Sequence, residues 1–395
     1  MTTGAAPRFV LVAGESSGDL LGGGLIEALR ERFPHALFAG IGGPRMIDAG
    51  LDSWHPIEQL SVMGLVEVLK HLPGLLALRR DVLHRARDWR PDVFVGIDAP
   101  EFNLGLERKL RRLGTATVHY VSPSIWAWRA GRVAKIGHSA QRVLCLFPME
   151  PPIYARHGID ARFVGHPLAD SIELEPDQAS ARVALDLPAT APVLALLPGS
   201  RIGEIQRLGE DFLEAARLLS RDISSLQIVA PMANPACREA FEALVRNAGF
   251  AVAGEAYVDP GAPIVRIIDG HARDAMVAAD AVLLASGTAA LEAMLSKRPM
   301  VVAYRLNPWT YRLVRMFGLL KTEHVSLPNA LAGYGLVPEI MQDACTPSAL
   351  AAALRSQLLA RAIPAALLHE YCRLHESLRG DANRAAAAAI AELVD

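Results

Sequence analysis

Leu283-Leu284-Ala285-Ser286-Gly287-Thr288-Ala289-Ala290-Leu291-Glu292-Ala293-Met294-Leu295-Ser296-Lys297-Arg298-Pro299-Met300-Val301-Val302-Ala303-Tyr304-Arg305 reads as strand, tight turn, helix, strand. An apolar run from 281 to 285 ends in three small residues, Ser286, Gly287 and Thr288, and a helical pattern starts directly after them. The first backbone N–H groups of a helix have no partner inside it, so a turn of small residues at that place is a ready anion site. Glu292 stands one turn further on, where a carboxylate can accept two hydrogen bonds from vicinal hydroxyls such as those of a ribose. A phosphate cradle with a diol acceptor suggests a nucleotide. The same residues also read as an ordinary helix N-cap followed by an exposed glutamate, so the rest of the chain has to decide.

The same unit recurs on both sides. Before it come strand patterns at 193–197, 226–230 and 263–268, with a helix whose apolar Ile205, Leu208, Phe212, Ala215 and Leu219 fall at helical spacing. The first half alternates strand patterns at 8–13, 36–41, 92–97, 116–121 and 141–146 with helical periodicity, as in Leu20 to Phe33 and Phe102 to Leu113. Between Gly165 and Pro192 the chain turns polar and loses periodicity, which places a domain boundary there. With 395 residues, 51% of them hydrophobic, two cores are expected. The fold class is therefore α/β, two Rossmann-like domains in tandem: residues 1–172, residues 173–345, and an Ala- and Leu-rich helical tail, 346–395, packing back on the first domain or on a partner subunit.

A formal net charge of −2 offers no global attraction to nucleic acid. Four cysteines without a Cys-x-x-Cys pair fit reduced thiols rather than a disulfide or zinc framework, and no cofactor or metal is expected. The apolar Phe9 to Ala13 is too short for a signal-peptide core, and no apolar run reaches the ~20 residues of a spanning helix. A soluble or peripheral protein is expected.

In open parallel sheets ligands sit beyond the carboxyl ends of the strands. Four polar clusters fall there. Gly14-Glu15-Ser16-Ser17-Gly18-Asp19 follows the first strand but lacks the Gly-x-Gly-x-x-Gly spacing, so it suits substrate contact better than NAD. Asp98-Ala99-Pro100-Glu101-Phe102-Asn103 puts an aspartate at the end of a buried strand before a turn-constraining proline, which suits a general base as well as a helix cap. Ser122 to Arg129 carries Trp126 and Trp128, sugar- or lipid-pocket residues or simple packing. Leu197-Pro198-Gly199-Ser200-Arg201 offers close backbone approach and a guanidinium for a diphosphate. Two phosphate-suited turns in one domain outweigh two coincidental caps.

These segments, together with Val325-Ser326-Leu327-Pro328-Asn329, resemble the lipid-A-disaccharide synthases, inverting glycosyltransferases of GT-B architecture, across residues 12–329. The resemblance implies transfer of 2,3-diacylglucosamine from its UDP conjugate to 2,3-diacylglucosamine 1-phosphate, forming the β-1,6-linked lipid A disaccharide 1-phosphate. Asp98 would be the base. Gly199, Ser200, Arg201, Ser286, Gly287, Thr288, Glu292 and Asn329 would lie on the donor side, holding UDP without a metal ion. Gly14, Glu15, Ser16, Asn103, Ser122 and Trp126 would lie on the acceptor side of a cleft. Two readings compete: a nucleotide-sugar epimerase or other transferase on the same fold, and a nucleotide-binding adaptor without turnover.

Acylated substrates reside in a membrane leaflet. Leu65 to Trp89 is the candidate contact, two short helices broken at Pro73-Gly74, with Val66, Val68, Leu69, Leu72, Leu75 and Leu76 apolar and Lys70, Arg79, Arg80 and Arg85 nearby. Leu313 to Lys321 is a second apolar-basic patch. Peripheral association with the cytoplasmic face of an anionic inner membrane follows, and a homodimer is left open.

Overall fold

The computed structural model describes residues 6–60, 65–123, 131–254, 262–306, 324–360 and 362–394, the side chains of 65–72 and 131–132 excepted. The chain forms two units, Met1–Asp170 with Ser377–Asp395, and Ser171–Glu376. Each is described by itself.

The first unit contains β1 (Arg8–Ala13), β2 (Leu37–Gly42), β3 (Asp52–Pro56), β4 (Val93–Ile97), β5 (Ala116–Tyr120), β6 (Arg142–Cys145) and β7 (Asp160–Phe163) in a seven-stranded sheet ordered β3-β2-β1-β4-β5-β6-β7. The second contains β8 (Val193–Leu197), β9 (Gln227–Met232), β10 (Ala251–Val252), β11 (Ile264–Asp269), β12 (Ala281–Ala285), β13 (Met300–Tyr304) and β14 (Glu339–Met341), ordered β10-β11-β9-β8-β12-β13-β14. All pairings are parallel. The central strands are covered on both faces and read as unbroken apolar runs, which is how a parallel sheet is written in sequence.

Each expected central strand is present within a residue or two. The sequence reading missed β3, β7, β10 and β14, and these are the four edge strands. An edge strand has one open side and needs less apolar surface: β3 is Asp-Ser-Trp-His-Pro and none of its residues is fully buried. Leu65–Trp89 is one continuous helix rather than two, with Pro73 inside it. Pro73 removes a single N–H and Gly74 beside it is a poor helix former, so the later turns, where Leu78, Val82 and Ala86 are buried on the unit, support the helix by packing.

The tail is divided between the units. Helix Pro347–Ala360 buries Leu350, Leu354 and Leu358 in the core of the second unit. Helix Ala382–Ala391 packs on helix Ser16–Arg32 and adds Ala386 and Ile390 to the core of the first.

Candidate active site

Winding reverses between β1 and β4 in the first sheet and between β8 and β12 in the second. Open α/β sheets bind ligands at the carboxyl ends of the strands that flank such a reversal. The turns after these four strands are those of Gly14, Asp98, Gly199 and Ser286.

In the first unit the β1 and β4 turns meet. A Cβ built on Gly14 would stand 2.8 Å from the Cβ of Ala99, so only glycine lets the two turns approach this closely. Asp98 and Ala99 both adopt left-handed backbone, φ 50° and 43°, a conformation costing non-glycine residues about 1 kcal/mol each. The surroundings impose it: the Asp98 N–H donates to the Tyr120 carbonyl at 2.8 Å, and the Asn103 amide donates to the Asp98 carbonyl at 2.9 Å and the Val12 carbonyl at 3.1 Å. Asp98 is half-buried where β4 ends.

Asn103 itself is fully buried, and its amide N–H groups are spent on backbone, so it sets the Asp98 turn instead of presenting its amide to a ligand. Ser122 is also buried; its hydroxyl lies 2.9 Å from the Tyr154 hydroxyl. Beside that pair is buried Glu150, pushed up to about 8 by burial against hydrogen bonds from the Phe147 and Leu146 backbone and Ser122. Glu15 is half-buried and Ser16 exposed at the start of helix Ser16–Arg32. Asp19, at the end of the same cluster, accepts from the N–H groups of Gly43, Arg45 and Met46 and so starts helix Pro44–Asp48. Trp126 lies outside the described residues.

In the second unit the β8 turn wraps a carboxylate. Gly199 has φ 138°, and a Cβ there would lie 2.4 Å from the Cβ of Glu204. Glu204 accepts the Ser200 N–H at 3.0 Å and stands 3.9 Å from the Arg201 guanidinium, which is over half exposed. After the neighbouring strand β12, Gly287 is the N-cap of helix Thr288–Leu295; both Gly287 and Thr288 are exposed, and a Cβ on Gly287 would meet nothing within 4 Å. Glu292 is half-buried one turn on, its carboxyl raised by burial against the pull of Arg273.

The Ser286 hydroxyl donates to the Val325 carbonyl at 3.4 Å, which ties this turn to the 325–339 segment. Asn329 holds that segment together: its amide donates to Val337 O and Glu339 Oε1 and accepts the N–H groups of Leu336 and Val337, all within 3.0 Å. All four bonds are internal, so Asn329 supports the turn without a free amide for a nucleotide.

Sequence reading missed Glu339, which takes the N–H groups of Val325 and Ser326, the Ser326 hydroxyl and the Asn329 amide. It also missed Glu107 and His119, both fully buried, with Glu107 Oε1 2.7 Å from His119 Nδ1. The available signal was Glu107 on the apolar face of helix Pro100–Arg112, with Leu106 and Leu110. Burial raises Glu107 against the attraction of His119. For His119 burial acts to lower its value, but Glu107, and after it Asp98, outweigh that and raise it. Among the described residues no group of three or more His, Cys, Asp or Glu could hold a metal ion.

The profile of the lipid-A-disaccharide synthetase family matches residues 9–394. The chain belongs to the lipid-A-disaccharide synthase family. It is 54% identical to the lipid-A-disaccharide synthase of Xanthomonas campestris pv. campestris (strain 8004), over 98% of this chain and 86% of that one. The Xylella fastidiosa (strain M12) lipid-A-disaccharide synthase is equally similar, with 98% of both chains covered. Among solved structures, the glycotransferase of kitacinnamycin (TM-score 0.61, 15% identity, 99% of this chain and 100% of that one) and Neisseria meningitidis UDP-GlcNAc 2-epimerase bound to UDP-GlcNAc (TM-score 0.60, 12% identity, 98% of both) share the fold. Membership makes the chain a glycosyltransferase of lipid A biosynthesis and sets aside the epimerase and adaptor readings.

Proposed function

We propose that the chain transfers 2,3-diacylglucosamine from its UDP conjugate to the 6-hydroxyl of 2,3-diacylglucosamine 1-phosphate with inversion at the transferred carbon. In that step the acceptor O–H gives its proton to the Asp98 carboxylate and the acceptor oxygen bonds to the anomeric carbon. The bond from that carbon to the diphosphate breaks, its electron pair leaving with UDP. The observation that carries the assignment is the Asp98 turn: a half-buried carboxylate on a strained backbone, over-determined by Tyr120, Asn103 and the Gly14 turn at the point where the sheet reverses. Strain that the surroundings enforce is characteristic of functional positions.

On the donor side, exposed Arg201 and the start of helix Thr288–Leu295 supply positive potential for a diphosphate, with Glu292 as the ribose acceptor. Asp98→Asn keeps shape and removes the base. Turnover of purified protein on both lipid substrates falls by ~10²-fold or more while UDP binding, followed by calorimetry, persists. Near-normal turnover returns Asp98 to a helix cap.

We also propose that the protein is cytoplasmic and reaches its acylated substrates at an anionic leaflet through helix Leu65–Trp89. Leu76 is exposed and Leu75 half-buried, whereas Leu78, Val82 and Ala86 are buried, so the later part of the helix packs on the unit and Leu75 and Leu76 turn apolar surface outward. The side chains of Val66, Val68, Leu69 and Leu72, and the 313–321 patch, lie outside those described. Among the described residues no helix is long and apolar enough to cross a membrane.

A further inference from the structure

The strand beside Asp98 ends in strain of its own. Val121, directly after β5, has φ 79°, and among the described residues it is the one β-branched side chain in left-handed backbone. For such a residue this conformation is an outlier that persists only where its surroundings enforce it. The peptide that joins Tyr120 to Val121 is held from both sides: its carbonyl accepts the Asp98 N–H at 2.8 Å, and its N–H donates to the Leu144 carbonyl of β6 at 3.0 Å. The peptide that bonds Asp98 is thus the one adjoining the strained torsion. The Val121 side chain packs on the cluster that contains Ala13 and Ile97, the last residues of β1 and β4.

Beyond Val121 the chain is tied down by side chains. The buried Ser122 hydroxyl lies 2.9 Å from the Tyr154 hydroxyl. Tyr154 is itself fully buried on helix Pro151–Ala155, in a cluster with Val133, Ile136 and Val143. Glu150, the N-cap of that helix, is buried as well; it accepts the Phe147 N–H at 3.2 Å and a hydrogen bond from Ser122. A buried polar cluster whose members bond one another specifies a single geometry where apolar packing would allow several.

We propose that Ser122 and Tyr154 are positioning residues for the transfer: their hydroxyls clamp the chain after β5, so that Val121 keeps its left-handed turn and the Tyr120 carbonyl stays aimed at the Asp98 N–H. This rests on Asp98 being the base. Neither hydroxyl touches substrate in this scheme. With the clamp cut, Val121 relaxes toward extended backbone, the Tyr120–Val121 peptide turns with it, and the Asp98 turn loses one of the bonds that hold it.

Ser122→Ala removes one oxygen and with it both contacts. Tyr154→Phe also removes one oxygen, from a side chain that is fully buried. In the full-length protein, assayed with both lipid substrates, each variant lowers kcat by ~10-fold, the loss expected of a shift of about 0.5 Å in a reacting group, and the double variant is little slower than either single one. UDP affinity by calorimetry stays within roughly twofold, since no donor group changes. Amide hydrogen exchange reads the clamp directly: in each variant the Asp98 N–H exchanges at least ~10-fold faster, while the N–H groups within β4 keep their wild-type rates. A hydroxyl pair that serves stability alone would lower the melting temperature and move neither kcat nor this one amide.

Wild-type kcat in both folded variants overturns the proposal. So does a slow Ser122→Ala beside a normal Tyr154→Phe, which would mean that Ser122 meets substrate directly. Asp98→Asn run alongside separates the two ideas: if it keeps wild-type turnover, the base assignment fails and this proposal with it. If it is inactive while Tyr154→Phe is unimpaired, only this proposal fails. Should neither clamp variant fold, exchange in the wild-type protein decides. Asp98 and Val121 amides exchanging together, as slowly as those of β5, support one held unit, and an Asp98 amide as fast as an exposed turn overturns it.

Discussion

Gly14→Ala tests the Asp98 turn without touching any group that bears charge. The added Cβ would sit 2.8 Å from the Ala99 Cβ, where carbon atoms in contact prefer ~3.5–4.0 Å. Something must therefore give by roughly 0.7–1.2 Å. It is not the sheet: β1 and β4 are buried central strands paired in register at Val12 with Gly96 and Ala13 with Ile97. The yielding part is the Asp98–Ala99 turn, already held in left-handed backbone. A displacement of ~1 Å at a catalytic group costs about 10²-fold in rate, equivalent to about 2.7 kcal/mol of barrier. Steady-state turnover with both lipid substrates should show that loss in kcat, with UDP binding unchanged and circular dichroism confirming the fold. A second change, Ala99→Gly, removes the atom that is struck and suits φ 43°, so the double variant recovers most of the rate. Wild-type turnover in Gly14→Ala, or a double variant as slow as the single one, refutes the argument that this contact sets the carboxylate.

Arg201→Lys keeps a cation but loses the planar fork, so kcat falls more than UDP affinity does; equal losses, by kinetics and calorimetry, reduce Arg201 to simple donor binding. Leu75→Ser with Leu76→Ser weakens flotation with anionic vesicles while leaving UDP binding intact, and unchanged flotation moves the membrane contact elsewhere. Burial lifts Glu150 from its usual 4.5 to about 8, so between these values the folded chain holds a proton that the unfolded chain has released, and stability falls as pH rises through that window. Glu150→Gln flattens this slope; denaturant midpoints at about pH 5 and 8 that change equally in variant and wild type contradict it.

The parts of the fold legible in the sequence are those buried on both faces, because a strand such as Val93–Ile97 has no polar side to interrupt its apolar run. Edge strands were hidden for the converse reason. The switch-point turns were legible through their glycines, although the reasons for those glycines were not: Gly14 admits Ala99, and Gly199 admits Glu204. The role of Asn103, Ser122 and Asn329 was least legible. Polarity at the end of a strand does not reveal whether hydrogen bonds go to a ligand or to the protein's own backbone, and much of what these three side chains offer goes to the protein itself. The division of the tail depends on which core receives Leu354 and which Ile390, and the contacts that decide it include helix Ile202–Asp222 for the first and helix Ser16–Arg32 for the second, each more than a hundred residues away.

The two switch points use one device for opposite charges. In each, a glycine after the first central strand lets a neighbouring group approach closer than a side chain would allow. In the first unit the beneficiary is the turn that carries Asp98, and the result is a half-buried carboxylate with its backbone hydrogen bonds already made. In the second unit it is Glu204, which takes up the Ser200 N–H and leaves the Arg201 guanidinium more than half exposed, while the turn after the neighbouring strand β12 exposes the start of helix Thr288–Leu295. In the proposed transfer one unit presents the proton acceptor and the other the diphosphate receptor. An inverting transfer needs one of each, because the acceptor must lose a proton as the leaving group gains negative charge.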